Sequence, residues 1–147
     1  MKGHYSDAEK RQMQITAQAK NKSRLQELID FSKLSDFERL GIASCAGMFA
    51  YAKKLAVLLQ EAGFEIYLVH CKESGLNASE IDAGMCGPSC DPVSQADYLN
   101  SQNTDLNIIM GLCLGHGLLF EKHSLAPVTT LVVKDFATGH KTVEELA

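Results

Sequence analysis

The chain has 147 residues, a formal net charge of −4, and 46% apolar against 22% charged residues. That length suits one core of ordinary size, and the mild acidity supplies no basic field to attract nucleic acid or an anionic bilayer. No apolar run reaches the ~18–20 residues that span a membrane, and the polar start "MKGHYSDAEKRQ" lacks the apolar stretch of a signal peptide. A cytoplasmic protein is therefore expected, with a small molecule or metal as its ligand and neither nucleic acid nor membrane as a partner.

Residues 6–33 read as one long N-terminal helix, with Ser6 or Asp7 as cap and Glu9 placed for a capping box. Its apolar positions, Ile15, Leu25, Leu28, Ile29 and Phe31, are sparse and mostly in the second half. Residues 1–35 are expected to form a helical arm, either mobile or packed on a second copy in a homo-oligomer. Residues 36–147 are expected to form a cysteine-rich α/β domain.

"LGIASC", 40–45, predicts a first strand, and "AGMFAYAKKLAVLLQEAG" a helix, with Phe49, Ala52, Leu55, Ala56 and Leu59 at helical spacing and Gly63 as C-cap. "FEIYLVHC", 64–71, is the second strand, and the short connection makes the pair parallel. Residues 72–92 are rich in Gly, Ser, Asn and Pro and read as a long loop with one turn of helix, a feature that is usually functional in a compact domain. "PVSQADYLNSQ" is a helix with an early Pro92, "DLNIIMGLC", 105–113, a third strand, "HGLLFEKHS" a short helix, and "PVTTLVVKD", 127–135, a fourth strand. A short helix ends the tail. The fold class is α/β: a small, mostly parallel, Rossmann-like sheet of four strands in the order 2-1-3-4, with helices on both faces and the N-terminal helix ahead of it. In that order the crevice lies between strands one and three.

Three of the five cysteines, Cys45, Cys71 and Cys113, end predicted strands. Parallel strands share one carboxyl edge, and ligands of such sheets bind just beyond it. Neighbouring strands lie ~4.8 Å apart, so thiols at their ends can share one small inorganic centre. Cys86 and Cys90 lie in the loop that leaves the same edge. An odd number of cysteines without a secretory signal argues against a disulfide framework. Any one thiol taken alone is as readily a buried core residue. Thiolate is soft and selects zinc, copper(I) or iron–sulfur over hard cations. The C-x₃-C pair of Cys86 and Cys90 is not the C-x-x-C knuckle of structural zinc, which favours an iron–sulfur cluster or a reactive site. The positive N-termini of the helices after Cys45 and Cys113 favour thiolate. His116, in the first turn after Cys113, is expected to turn toward the same site and to act on a substrate or on thiolate charge rather than as a ligand.

Other polar residues carry weaker signals. The glycines after the strands do not form a phosphate loop or a dinucleotide fingerprint. His70 alternates with Cys71 and so faces away from it. Lys134 and Asp135 are either surface charges or a bracket for a polar substrate. Asp91 and Gln95 read as helix-capping residues, "TGH" at 138–140 can cover the site, and Asp105 and Asn107 lie at the opposite edge as structural residues.

From about Leu40 to His140 the sequence resembles an uncharacterised family, catalogued under a domain of unknown function and often labelled as candidate metal-binding proteins. The motifs are the strand-end Cys45, "CK" at Cys71, "C-[ND]-P" at Cys90, "GLC.GH" at Cys113 and His116, "APVT.L.VKD" and the later "GH". The resemblance implies that Cys45, Cys71, Cys90 and Cys113 are the family's cysteines; by thiolate chemistry that set is expected to hold an iron–sulfur cluster or zinc. Cys86 is then an extra, dispensable or pairing with Cys90 under oxidation. Many members carry a cysteine-rich segment ahead of this domain where this chain has a polar helix, and many continue "GLC.GH" with aspartate where this chain has Gly117. Three functions remain open at this level: a metal- or cluster-binding protein with redox or sulfur-handling chemistry, a metal-free enzyme using Cys113 or Cys45 with His116, and a small oligomeric binding module.

Overall fold

The computed structural model describes residues 1–147. They form two compact units, Met1–Glu38 and Arg39–Ala147. In the first, helices α1 (Asp7–Ala19) and α2 (Arg24–Leu34) contact each other. The capping box forms: the Ser6 hydroxyl accepts from the Glu9 N–H at 3.2 Å, and the Glu9 carboxylate accepts from the Ser6 N–H at 2.7 Å. The single helix expected over 6–33 is instead two. Lys20 is extended, Asn21 takes a left-handed φ of 64°, and Ser23 caps α2 through the Gln26 N–H at 3.2 Å. Asparagine tolerates that backbone and serine is a preferred cap, so "KNKS" ends one helix and starts the next.

The second unit runs β1 (Arg39–Ser44), α3 (Phe49–Glu61), β2 (Glu65–His70), α4 (Pro92–Ser101), β3 (Leu106–Met110), α5 (Leu114–His123) and β4 (Val128–Val132). The strands are all parallel, in the expected order β2-β1-β3-β4. Gly41 and Ala43 alternate onto the face covered by α4 and α5. There Ala43, Val69, Ala96, Leu99, Ile109, Leu112 and Phe120 form one buried cluster. Gly41 is required at that interface, because a Cβ would run into the Asn107 amide and approach Leu99 Cδ1 to 2.8 Å. Crossovers of one hand place α3 on the opposite face, where it buries Ala52, Leu55, Ala56 and Leu59 and contacts β1 and β2. From β1 the chain thus leaves toward one face and from β3 toward the other. The sheet's switch point lies between them.

The strands are shorter than the apolar runs suggest, and this moves the cysteines. Cys45 and Cys71 directly follow the last residues of β1 and β2, and the register pairs those residues, Ser44 with His70. β3 stops at Met110 after a register shift against β4, and Gly111 turns the chain at φ 80°. A Cβ at Gly111 would lie 2.7 Å from Met48 Cγ. Cys113 is therefore the N-cap of α5, which begins at Leu114 rather than at His116.

The 72–91 segment is mostly loop with one 3-10 turn, Ala78–Glu80, as expected, and it is bonded internally. Asn77 and Pro88 form an antiparallel bridge, the Ala78 N–H donates to the Gly87 carbonyl at 2.8 Å and the Ser89 N–H to the Leu76 carbonyl at 2.8 Å. The segment folds back on itself, and its return leg docks where the Asp91 N–H donates to the Cys71 carbonyl at 2.7 Å. The tail ends in a short 3-10 turn, Thr142–Leu146. No helix is long and apolar enough to cross a membrane.

Candidate functional site

Four cysteines gather at the carboxyl edge of the sheet, each brought by a different piece of chain. Cys71 is 2% exposed, and its sulfur accepts from the Ala46 N–H at 3.3 Å across the β1–β2 junction. Cys90, on the return leg, points its thiol at the Cys71 sulfur at 3.3 Å. Cys45 caps the turn that leads into α3, and its sulfur accepts from the Gly47 N–H at 3.4 Å. Cys113 is exposed at the start of α5. The Cys45 N–H donates to the Gly111 carbonyl at 2.7 Å, which ties the two lips of the switch point together.

Lys134 spans that crevice. Its ammonium donates to the Cys45 sulfur at 3.2 Å and to the Cys113 sulfur at 3.1 Å. Its pKa is held above the usual lysine range, first by Cys113 and then by Cys45. Partial burial would raise the Cys45 thiol, but the Gly47 N–H and the Lys134 ammonium outweigh it, and the net shift is downward. Cys71 moves the other way: burial, opposed by the Ala46 N–H and reinforced by Cys90, pushes it up to about 11. The edge thus holds one thiol prepared to ionise beside one that resists ionisation.

Beneath the sulfurs lies Gln95, fully buried on α4 rather than capping it. Its amide donates to the Ser44 and Val69 carbonyls, both at 3.1 Å, and so fixes the two strand ends that carry Cys45 and Cys71. The Gln95 carbonyl oxygen has no partner. Asp91 does cap α4, through the Ser94 N–H at 3.0 Å, and accepts from the Ser74 hydroxyl at 2.6 Å. A groove of about 280 Å³ runs from Cys113 and Lys134 along α5 and β4, lined by Leu112, Leu118, Thr130 and Val132.

The remaining residues fall away from this centre. Cys86 is exposed at the far end of the folded segment. His116 is half-buried in α5, and no hydrogen bond joins it to any of the sulfurs. His70 stacks edge-on against Phe49 with ring centroids 4.9 Å apart. His140 closes the loop after β4, its ring nitrogen accepting from the Asp135 N–H at 2.9 Å. No group of three or more His, Cys, Asp and Glu side chains is arranged to hold a metal ion. The sulfurs form a row: Cys90 meets Cys71, Cys71 interacts with Cys45, and Lys134 joins Cys45 to Cys113.

Sequence reasoning under-read Lys134 and Gln95. The signal for Lys134 was its place past the end of β4, the same sheet edge as the cysteines. Gln95 had none, because a glutamine next to a helix start is ordinarily exposed.

A family model described as "Protein of unknown function (DUF1847)" matches residues 1–131. An uncharacterized protein of Methanocaldococcus jannaschii is 45% identical over 126 residues, covering 82% of this chain. The aligned part spans 65% of that relative's own length. No solved structure matches.

Proposed function

The chain belongs to the DUF1847 family, whose function is unknown, and from that premise we propose that its sheet edge is a thiolate site for a soft metal ion or an iron–sulfur cluster, with Cys45, Cys71, Cys90 and Cys113 as donors. The observation that carries this reading is the delivery of four cysteines, from four separate segments, to the carboxyl edge of a parallel sheet. An all-sulfur donor set suits zinc, copper(I) or iron–sulfur and no hard cation.

The fit is chemical rather than spatial. As they stand the sulfurs form a row rather than a ring, and the Lys134 ammonium lies between Cys45 and Cys113. Thiolates gathered in one place repel each other, so a cation among them is stabilising. A metal would take over that role. When bound, a cluster would supply electron transfer, and zinc a Lewis acid. The residues themselves position the donors: Gln95 holds two strand ends, and the Gly47 and Ala46 N–H groups orient two sulfurs.

A second reading is favoured by one observation. The Cys45 thiol is shifted toward ionisation by Gly47 and Lys134, as in a cysteine nucleophile. In this metal-free enzyme Lys134 takes the place that His116 was expected to fill. Elemental analysis and visible spectroscopy of protein purified without oxygen separate the two. Stoichiometric iron or zinc, with a visible band if iron is present, supports the metal site. Protein free of metal, whose Cys45 alone reacts rapidly with iodoacetamide near neutral pH, supports the nucleophile.

A further inference from the structure

Cys71 and Cys90 are separated by 19 residues, yet their sulfurs lie 3.3 Å apart. Their backbones are fixed together beside the sulfurs. The residue after Cys90, Asp91, donates its N–H to the Cys71 carbonyl at 2.7 Å, and its carboxylate is held by Ser74 and by the start of α4. Bond formation needs the sulfurs to close to about 2.05 Å, a movement of side chains and not of strands. The competing pairings are less prepared. Cys86 is exposed, and no hydrogen bond joins its sulfur to Cys90 across the C-x₃-C turn. The Cys45 and Cys113 sulfurs are each turned to the Lys134 ammonium.

We propose that Cys71 and Cys90 form a reversible dithiol–disulfide couple whose oxidant is a low-molecular-weight disulfide. Cys90 is half-buried and meets the oxidant; Cys71 is 2% exposed and is reached through Cys90. In the first step the Cys90 thiolate attacks one sulfur of the small disulfide. A mixed disulfide forms, and one small thiolate leaves and takes up a proton. In the second step the Cys71 sulfur attacks the Cys90 sulfur, its proton passes to the second small thiolate, and that thiol leaves. The protein loses two electrons and two protons, and one small disulfide becomes two thiols. The couple uses protein thiols alone and does not rest on the metal reading; a metal held by the same sulfurs would have to leave before the bond forms.

The test uses the whole chain, fully reduced and stripped of metal by a chelator. It is equilibrated in glutathione buffers of rising oxidised fraction, quenched in acid and alkylated, and its disulfides are mapped by peptide mass. The first intramolecular bond is expected between Cys71 and Cys90, in the wild type and in Cys86→Ser alike, with Cys45, Cys86 and Cys113 still alkylated at that ratio. Cys90→Ser should leave Cys71 reduced, and Cys71→Ser should leave Cys90 as a glutathione adduct. A Cys86–Cys90 bond forming first, or glutathione adducts with no Cys71–Cys90 bond, would overturn the proposal.

Discussion

The two ends of the sheet treat their polar groups differently. At the amino end they satisfy one another. The Arg39 N–H donates to the Asp105 carboxylate at 2.9 Å, the Asp105 N–H returns a bond to the Arg39 carbonyl at 2.7 Å, and the Arg39 guanidinium donates to the Gln102 carbonyl at 2.9 Å. The fully buried Asn107 accepts from the Thr104 hydroxyl at 2.7 Å and donates to the Ser124 hydroxyl at 2.8 Å, which passes on to the Ala126 carbonyl at 2.8 Å. At the carboxyl end the sulfurs are weak acceptors with long contacts, one is exposed, and the cation among them comes from a long flexible side chain. A closed network of strong bonds holds a fold, whereas an open set of polarisable donors is left free for chemistry.

Substitutions should separate the two ends. The largest loss of stability is expected from Asn107→Leu, which strips partners from the Thr104 and Ser124 hydroxyls at a cost of about 1–3 kcal/mol. Chemical denaturation reads it, and the thiols should keep their order of alkylation. Gln95→Leu breaks the rule that stability resides at the amino end. It removes two bonds to strand-end carbonyls, lowers stability by about 1–2 kcal/mol, and should also alter the labelling of Cys45 and Cys71.

Lys134→Met should change stability by less than about 0.5 kcal/mol, as a surface substitution does, yet change reactivity. The ammonium favours the Cys45 thiolate, so its loss raises that thiol's pKa and moves the midpoint of Cys45 alkylation to higher pH. Cys71, held at about 11, should label last in either protein. An unmoved Cys45 midpoint would show that Lys134 is a bystander. Cys86→Ser is expected to do least, leaving both melting and metal content unchanged.

Much of this was legible in the sequence because strand and helix patterns alternate so regularly. Parallel strands with short connections force every strand end to one edge, and that placed Cys45, Cys71 and Cys113 before any coordinates. The strand limits were less legible. Apolar runs continue past the last ladder bond, and only the left-handed turn at Gly111 shows where β3 stops. The return of Cys90 to Cys71 depends on backbone bonds inside the 72–91 segment, which leave no periodic trace. The break at Asn21 was hidden for a related reason: with few apolar residues around it, the helical period is too faint to show an interruption. Lys134 reads in the sequence as a surface charge or a bracket for a polar substrate, because its sulfur partners come from two other segments of the chain.

The central claim is that Cys45, Cys71, Cys90 and Cys113 act as one set of donors. Cobalt(II) titration of the reduced, metal-free chain tests it most directly, since thiolate ligation produces an intense sulfur-to-cobalt charge-transfer band. The account predicts a band that saturates at one ion per chain, weakens or disappears in Cys45→Ser, Cys71→Ser, Cys90→Ser and Cys113→Ser, and is unchanged in Cys86→Ser. A wild-type chain that gives no such band, or a band that survives all four substitutions unchanged, would contradict it.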